Sequence, residues 1–290
     1  MRKNTKLIIL LLFLFLFISI YIIFCQYNQY SLPKIIWMYW DSIERPELIN
    51  EIQRYNAPKF TGWNIKILNN NNIFDYVNKS SLPKNFDNLI VQHKADWFRL
   101  YLLNHYGGCW IDMAIIINNK DAFNDIWYKS NNIKSMLTGF IKTDSYFTHP
   151  SGVKIPKLFD NWFIMAPKKS PLITSWFNEF NEAVNIGLLK YKKKCISEGV
   201  DISRIHFTDE NDVYLTQHIC IQKVLQQNFK QIPPVYFIPS DDSMLKLQDI
   251  CKWENSCVVD KMLNDPETKK LPYIKLVRHN RNDDLKKYFM

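Results

Sequence analysis

Short apolar runs alternate with amphipathic stretches along most of the chain. PKIIWMYWD, at 33–41, is bounded by Pro33 and Asp41 and predicts a buried strand. RPELINEIQRYNA follows, with apolar residues at helical spacing and Pro46 near its start, and predicts a helix. GWNIKILN alternates and ends in an asparagine-rich turn, a second strand, and NIFDYVN reads as a short helix beyond it. Residues 88–106, NLIVQHKADWFRLYLLNHY, keep Ala95, Phe98, Leu102 and Tyr106 on one stripe and stop at Gly107, as a helix closed by glycine does. CWIDMAIII then reads as one strand. NWFIMAPKKSPLITSWFNEFNEAV reads as a strand, a proline turn and a helix, VYLTQHICIQKVLQQ as a helix, and PYIKLVRHNRNDD as a last strand with a basic end. Strands alternating with helices predict an α/β fold with a mostly parallel central sheet flanked by helices, binding its ligand beyond the carboxyl ends of the strands.

One acid breaks the apolar pattern. Asp112 sits inside GGCWIDMAIII, and an isolated buried carboxylate must find a cavity, a cation or hydrogen bonds. Gly107 and Gly108 let the backbone turn from helix into strand and are read as leaving room for a bulky ligand. On the preceding helix Asp96 and Arg99 stand one turn apart, with Lys94 nearby. An acid and a guanidinium suit the vicinal hydroxyls of a sugar, although the spacing alone favours an ordinary helical ion pair worth about 0.2–0.5 kcal/mol. His149 and His206 stand without partners and read as structural. Trp40, Trp97, Trp110 and Trp162 read as core packing before ligand stacking.

Of 290 residues 47% are hydrophobic, enough for a sizeable core. The net charge of +9 is scattered, without an Arg/Lys stripe interleaved with aromatics, so no nucleic acid is expected as a partner, whereas a phosphorylated ligand suits it. The segment 7–25, LIILLLFLFLFISIYIIFC, is uncharged and close to the roughly 20 residues that cross a bilayer as a helix. It predicts a transmembrane signal anchor, with residues 1–6 as a cytosolic tail, 26–32 as a stem and 33–290 as the body. Arg2, Lys3 and Lys6 ahead of the segment orient it as a single-pass type II membrane protein. In a eukaryotic or virus-infected cell that orientation places the body in a Golgi-like or ER-like lumen. Six cysteines show no metal-ligand spacing, so no zinc site is expected. In a lumenal body Cys251 and Cys257 are spaced to close a small loop, and Cys195 with Cys220 is a weaker pair.

The order KIIWMYW, HKADWFRLYLLNHYGGCWID, NWFIMAPKKSPLI, YIKL resembles the capsular polysaccharide synthesis proteins and the wider DXD-type sugar-transferase family that contains yeast Golgi mannosyltransferases, glycosyltransferase family 32. The likeness runs from Pro33 to Leu276. It implies a GT-A-like nucleotide-diphospho-sugar transferase fold and a retaining, hexosyltransferase-type enzyme. Such an enzyme moves a sugar from a nucleotide-sugar donor to a glycan or polysaccharide acceptor. Carried over by position, Trp37 would stack on the donor base, and Asp96 and Arg99 would hold the sugar hydroxyls. Asn161 would face the sugar pocket, unless it is only a turn residue capping a strand. Asp112 would be the catalytic first acid of the DXD motif, near ribose, sugar and an Mn2+ or Mg2+ ion. The second acid of that motif is replaced by Ala114, so either another oxygen completes the metal shell or basic groups stabilise the leaving diphosphate. Lys275, Arg278 and His279 are the candidates for that role, against the plain reading of a solvated basic strand end. The same substitution raises the alternative of a degenerate transferase that binds glycan or nucleotide sugar without turnover. A membrane-anchored interaction protein that uses only the fold ranks third.

Overall fold

The run IIWMY is apolar throughout because the strand it forms is covered on both faces. In the computed structural model, which describes Phe13, Phe15, Phe17 and residues 30–290, this run is β1 (Ile35–Tyr39), followed by α1 (Glu47–Asn56), β2 (Asn64–Leu68) and α2 (Val91–Tyr106). Next come β3 (Gly108–Ile111), β4 (Ile115–Ile117), α3 (Lys120–Asn132) and β5 (Leu137–Ile141). A hairpin of β6 (Tyr146–Thr148) and β7 (Lys154–Pro156) precedes β8 (Phe159–Ala166). Then α4 (Pro171–Ile186), α5 (Leu188–Ser197) and α6 (Thr216–Gln227) lead to β9 (Val235–Pro239). Last are α7 (Lys246–Ile250), α8 (Asn255–Asn264) and β10 (Tyr273–Lys275). Residues Leu32–Met290 make one compact unit.

The α/β class holds, and the sheet departs from the expected polarity at one strand. Six strands run in the order β2-β1-β3-β8-β5-β9. β1 is parallel to β2 and β3, and β5 to β9, but β8 is antiparallel to both β3 and β5, so the sheet is mixed, with β8 alone running against the other five strands. The cause lies between β5 and β8, where a hairpin replaces the helical crossover that a parallel return requires. A second correction concerns the membrane. Apart from Phe13, Phe15 and Phe17, the segment 7–25 lies outside the described residues, and among the described residues no helix is long and apolar enough to cross a membrane. The structure therefore does not support the expected transmembrane anchor or the single-pass lumenal placement built on it.

Three local features position the polar residues that matter. First, CWIDMAIII is not one strand. It breaks at Asp112, whose N–H donates to Trp162 O (2.9 Å) while its carbonyl accepts from Ile115 (3.1 Å), and β4 leaves the central sheet to pair antiparallel with β10, Lys275 opposite Ile115. Second, the register of β8 against β5 jumps from Asp160–Phe140 to Ile164–Gly139. This irregularity lets Phe159 pack on Trp176 of α4 while Phe163 packs on Phe123 of α3, and it turns Asn161 toward α2 and α6. Third, α2 is buried from Asp96 to Leu103 on all sides rather than along one stripe, because α4 covers the face turned away from the sheet: Trp97 Nε1 donates to Asn181 of α4 at 2.7 Å.

The glycines that begin β3 serve backbone contact, not ligand space. Gly107 and Gly108 have φ of +70° and +104°, and a Cβ on Gly108 would stand 2.6 Å from the carbonyl oxygen of Ile35. Gly108→Ala combines a left-handed strain with a backbone clash, and we expect it to cost about 2–3 kcal/mol in urea unfolding. A loss under ~0.5 kcal/mol would show that β1 and β3 separate easily there. Cys251 and Cys257 form a disulfide, as their spacing suggests; Cys195 and Cys220 do not pair and are buried thiols, the first pushed by burial up to about 11.

Candidate active site

Asp112 lies at the carboxyl end of β3, where side chains from five separate segments meet. Its Oδ1 accepts from Arg99 Nη2 (3.1 Å) and from the indole Nε1 of Trp110 (3.0 Å), and its Oδ2 from Lys275 Nζ (3.1 Å). Arg99 Nη1 reaches Asp96 Oδ1 and Gln217 Oε1, each at 2.6 Å, and the guanidinium lies 4.9 Å from the centre of the Trp110 ring. Asn161 Nδ2 donates to Asp96 Oδ1 (3.1 Å) and Gln217 Oε1 (2.6 Å), and Gln217 Nε2 closes the network on Asp96 O (2.8 Å). Residues from α2, the end of β3, β8, α6 and β10 thus form one connected polar group.

The electrostatics divide the two acids. Burial pushes the Asp96 carboxyl up, against the pull of Arg99 and His93. Burial also opposes ionisation of Asp112, but the charges of Lys275 and Arg99 and the Trp110 hydrogen bond outweigh it and hold this carboxyl below its ordinary range. Lys275 is driven down by its own burial, with Asp112 opposing. Two carboxylates face two cations, so the cluster is close to neutral. Side-chain exposure is 5% for Arg99, 10% for Asp96, 7% for Lys275 and 28% for Asp112, which makes Asp112 the member of the charged set that a ligand can reach. Two surface hollows of about 660 and 590 Å³ lie elsewhere, and neither includes a member of the cluster.

The structure therefore brings together Asp96, Arg99, Asp112, Asn161 and Lys275. It does not bring in Trp37 or His279. Trp37 is 1% exposed in the middle of β1, donates Nε1 to Gly107 O at 2.8 Å and packs against Tyr76 and Tyr106, so its ring is already covered. His279 is exposed in the turn after β10 and makes no contact with the cluster. Gln217 was not anticipated; the signal was an amide on a helix that is buried on every side from Thr216 to Gln226. As a divalent-cation site the set fits poorly. Both oxygens of Asp112 are engaged by protein donors, position 114 supplies a methyl group, and among the described residues no group of three His, Cys, Asp or Glu side chains is arranged to hold a metal ion.

A family model described as capsular polysaccharide synthesis protein matches residues 19–183. The chain belongs to this family. The matched part includes Asp96, Arg99, Asp112 and Asn161, whereas Gln217 and Lys275 lie beyond it. Two solved structures are similar at low identity. One is a glycosyltransferase involved in the glycosylation of the major capsid of PBCV-1, at 11% identity and a TM-score of 0.38, covering 89% of this chain and 99% of that one. The other is the PaToxG glycosyltransferase, at 13% identity and a TM-score of 0.34, covering 91% of this chain and 87% of that one. At these values neither lends a residue role. No curated protein matches.

Next to Asn161 the same strand buries a third acid, outside the cluster. Asp160 is 8% exposed and its Oδ2 has no hydrogen-bond partner among the described residues. Burial pushes it up to about 7, with Ser240 and Lys142 opposing. Its folded value lies above the unfolded one, so the native state holds a proton that the unfolded chain has lost, and stability falls as pH rises from about 4 to about 7. Asp160→Asn should flatten that slope and gain on the wild type by roughly 3–4 kcal/mol between pH 4.5 and pH 8. Parallel stability curves of the two proteins across that window would contradict it.

Proposed function

We propose that this protein is a glycosyltransferase of the hexosyl type that takes a nucleotide-sugar donor and a glycan or polysaccharide acceptor. The observation that carries the reading is the convergence of Asp96, Arg99, Asn161 and Asp112 at the carboxyl end of β3 in a chain of the capsular polysaccharide synthesis family. A carboxylate with a fixed guanidinium and amide beside it can accept from and donate to vicinal hydroxyls, and a cluster with no net charge of its own neither repels nor traps a sugar. Asp112, ionised and partly open, orients the sugar; Arg99, Asn161 and Gln217 fix Asp96 and the geometry around it.

In the retaining reaction that suits this arrangement, the bond between the anomeric carbon and the diphosphate oxygen breaks, with its electron pair leaving on the phosphate. The acceptor oxygen attacks from the same face, and its proton passes to the departing phosphate oxygen. The protein then supplies position and charge stabilisation rather than a side-chain base. Ala114 supports a second reading, a module that binds nucleotide sugar without turnover. Incubation with a panel of nucleotide sugars and oligosaccharide acceptors, followed by mass spectrometry, separates them. An acceptor one sugar heavier supports the transferase; donor binding without any product supports the binding module and sinks the enzyme.

A further inference from the structure

We propose that Arg281, poised over Trp40 at the carboxyl end of β1, binds the diphosphate of the donor, and that it does so without a divalent cation. The inference rests on the donor reading above and begins from charge. Asp96 and Asp112 are matched by Arg99 and Lys275, both of which are buried and engaged, so the cluster has no cation left to offer a diphosphate. Nor does it present the oxygen ligands that a bridging metal would need.

Arg281 supplies what is missing. It follows β10 by six residues, is exposed, and makes no ion pair with any carboxylate among the described residues. Its guanidinium lies 5.9 Å from the centre of the Trp40 ring. Trp40 follows β1 and Asp112 follows β3, and these two strands lie side by side and parallel, so the two residues stand at neighbouring strand ends; Arg281 and Asp112 feel each other's charge there. Trp40 comes immediately after β1 and donates its backbone N–H to Leu68 O at 3.0 Å, so it too stands at the carboxyl end of the sheet, half-buried, three residues beyond Trp37. A guanidinium held against an indole face keeps its N–H edge free to bind phosphate oxygens in a bidentate way.

The backbone that carries Arg281 is not a loose tail. Asn280, 1% exposed, receives Gln248 Nε2 at 2.6 Å and the Val277 N–H at 3.2 Å on its Oδ1, and donates Nδ2 to Asn255 at 3.0 Å. A buried amide with its hydrogen bonds made thus fixes the residue directly before the arginine, so Arg281 is presented from a rigid base. That combination of a fixed stem and an uncommitted charge is what preorganised anion binding requires.

The test is calorimetric titration of UDP and GDP into the full chain, with wild type, Arg281→Gln and Arg281→Lys, each in EDTA and in Mn2+. Binding by the wild type in EDTA, changed less than about 3-fold by Mn2+, is expected. Arg281→Gln should weaken it about 10- to 100-fold in both buffers at an unchanged melting temperature, with Arg281→Lys between the two. Wild-type binding that vanishes in EDTA and returns with Mn2+, or an Arg281→Gln protein that binds as the wild type does, overturns the inference while leaving the donor reading in place. No binding of either nucleotide in either buffer counts against the donor reading itself, and the inference falls with it.

Discussion

Asp112→Asn is expected to lower turnover roughly 100-fold or more while the protein remains folded. The amide can still accept from Trp110 and Arg99, but its other end would point an N–H at Lys275 Nζ, which now lies 3.1 Å from Oδ2. Two cations would then be left with one carboxylate between them, so we also expect a lower melting temperature. Because Asp112 is held below the ordinary carboxylate range, the stability it contributes is present above the unfolded value and is lost as pH falls through its folded one. The two proteins should therefore converge in stability in strong acid. An Asp112→Asn enzyme with wild-type turnover would remove Asp112 from the site.

The second large effect is on stability. Arg99→Met should cost about 3–5 kcal/mol, because it strands Asp96 as a buried, uncompensated carboxylate and deprives Gln217 and Asp112 of a donor. Adding Asp96→Asn to Arg99→Met removes that charge and should restore part of the loss, a coupling that urea unfolding of the four proteins in the cycle measures directly. If Arg99→Met loses under about 1 kcal/mol, the pair is an ordinary solvated i,i+3 contact and the network carries little.

That prediction also shows what spacing alone does not reveal. The one-turn separation of Asp96 and Arg99 is visible in the sequence, but it is the same for a surface pair and for a buried one; burial is set by α4, Gln217 and Asn161, whose approach no local pattern encodes. Asp112 was legible for the opposite reason, since a single acid in an apolar run has few structural excuses. Trp37 was misread because the strand continues past it: β1 runs to Tyr39, so the tryptophan at the tip is Trp40. The polarity of β8 escaped as well, because an apolar strand looks alike in either direction and only the hairpin before it fixes the sense. The register irregularity that delivers Asn161 depends on the pairing of two strands and has no signature in either one.

The most direct test of the central claim is amide hydrogen exchange with and without nucleotide sugars, since it locates binding independently of turnover. The account predicts protection concentrated in the turn after β3, around Asp112, in β8 near Asn161 and in the segment from β10 to Arg281. Protection confined to other regions, such as the hollow lined by Ser81, Lys84 and Asn185, would contradict it.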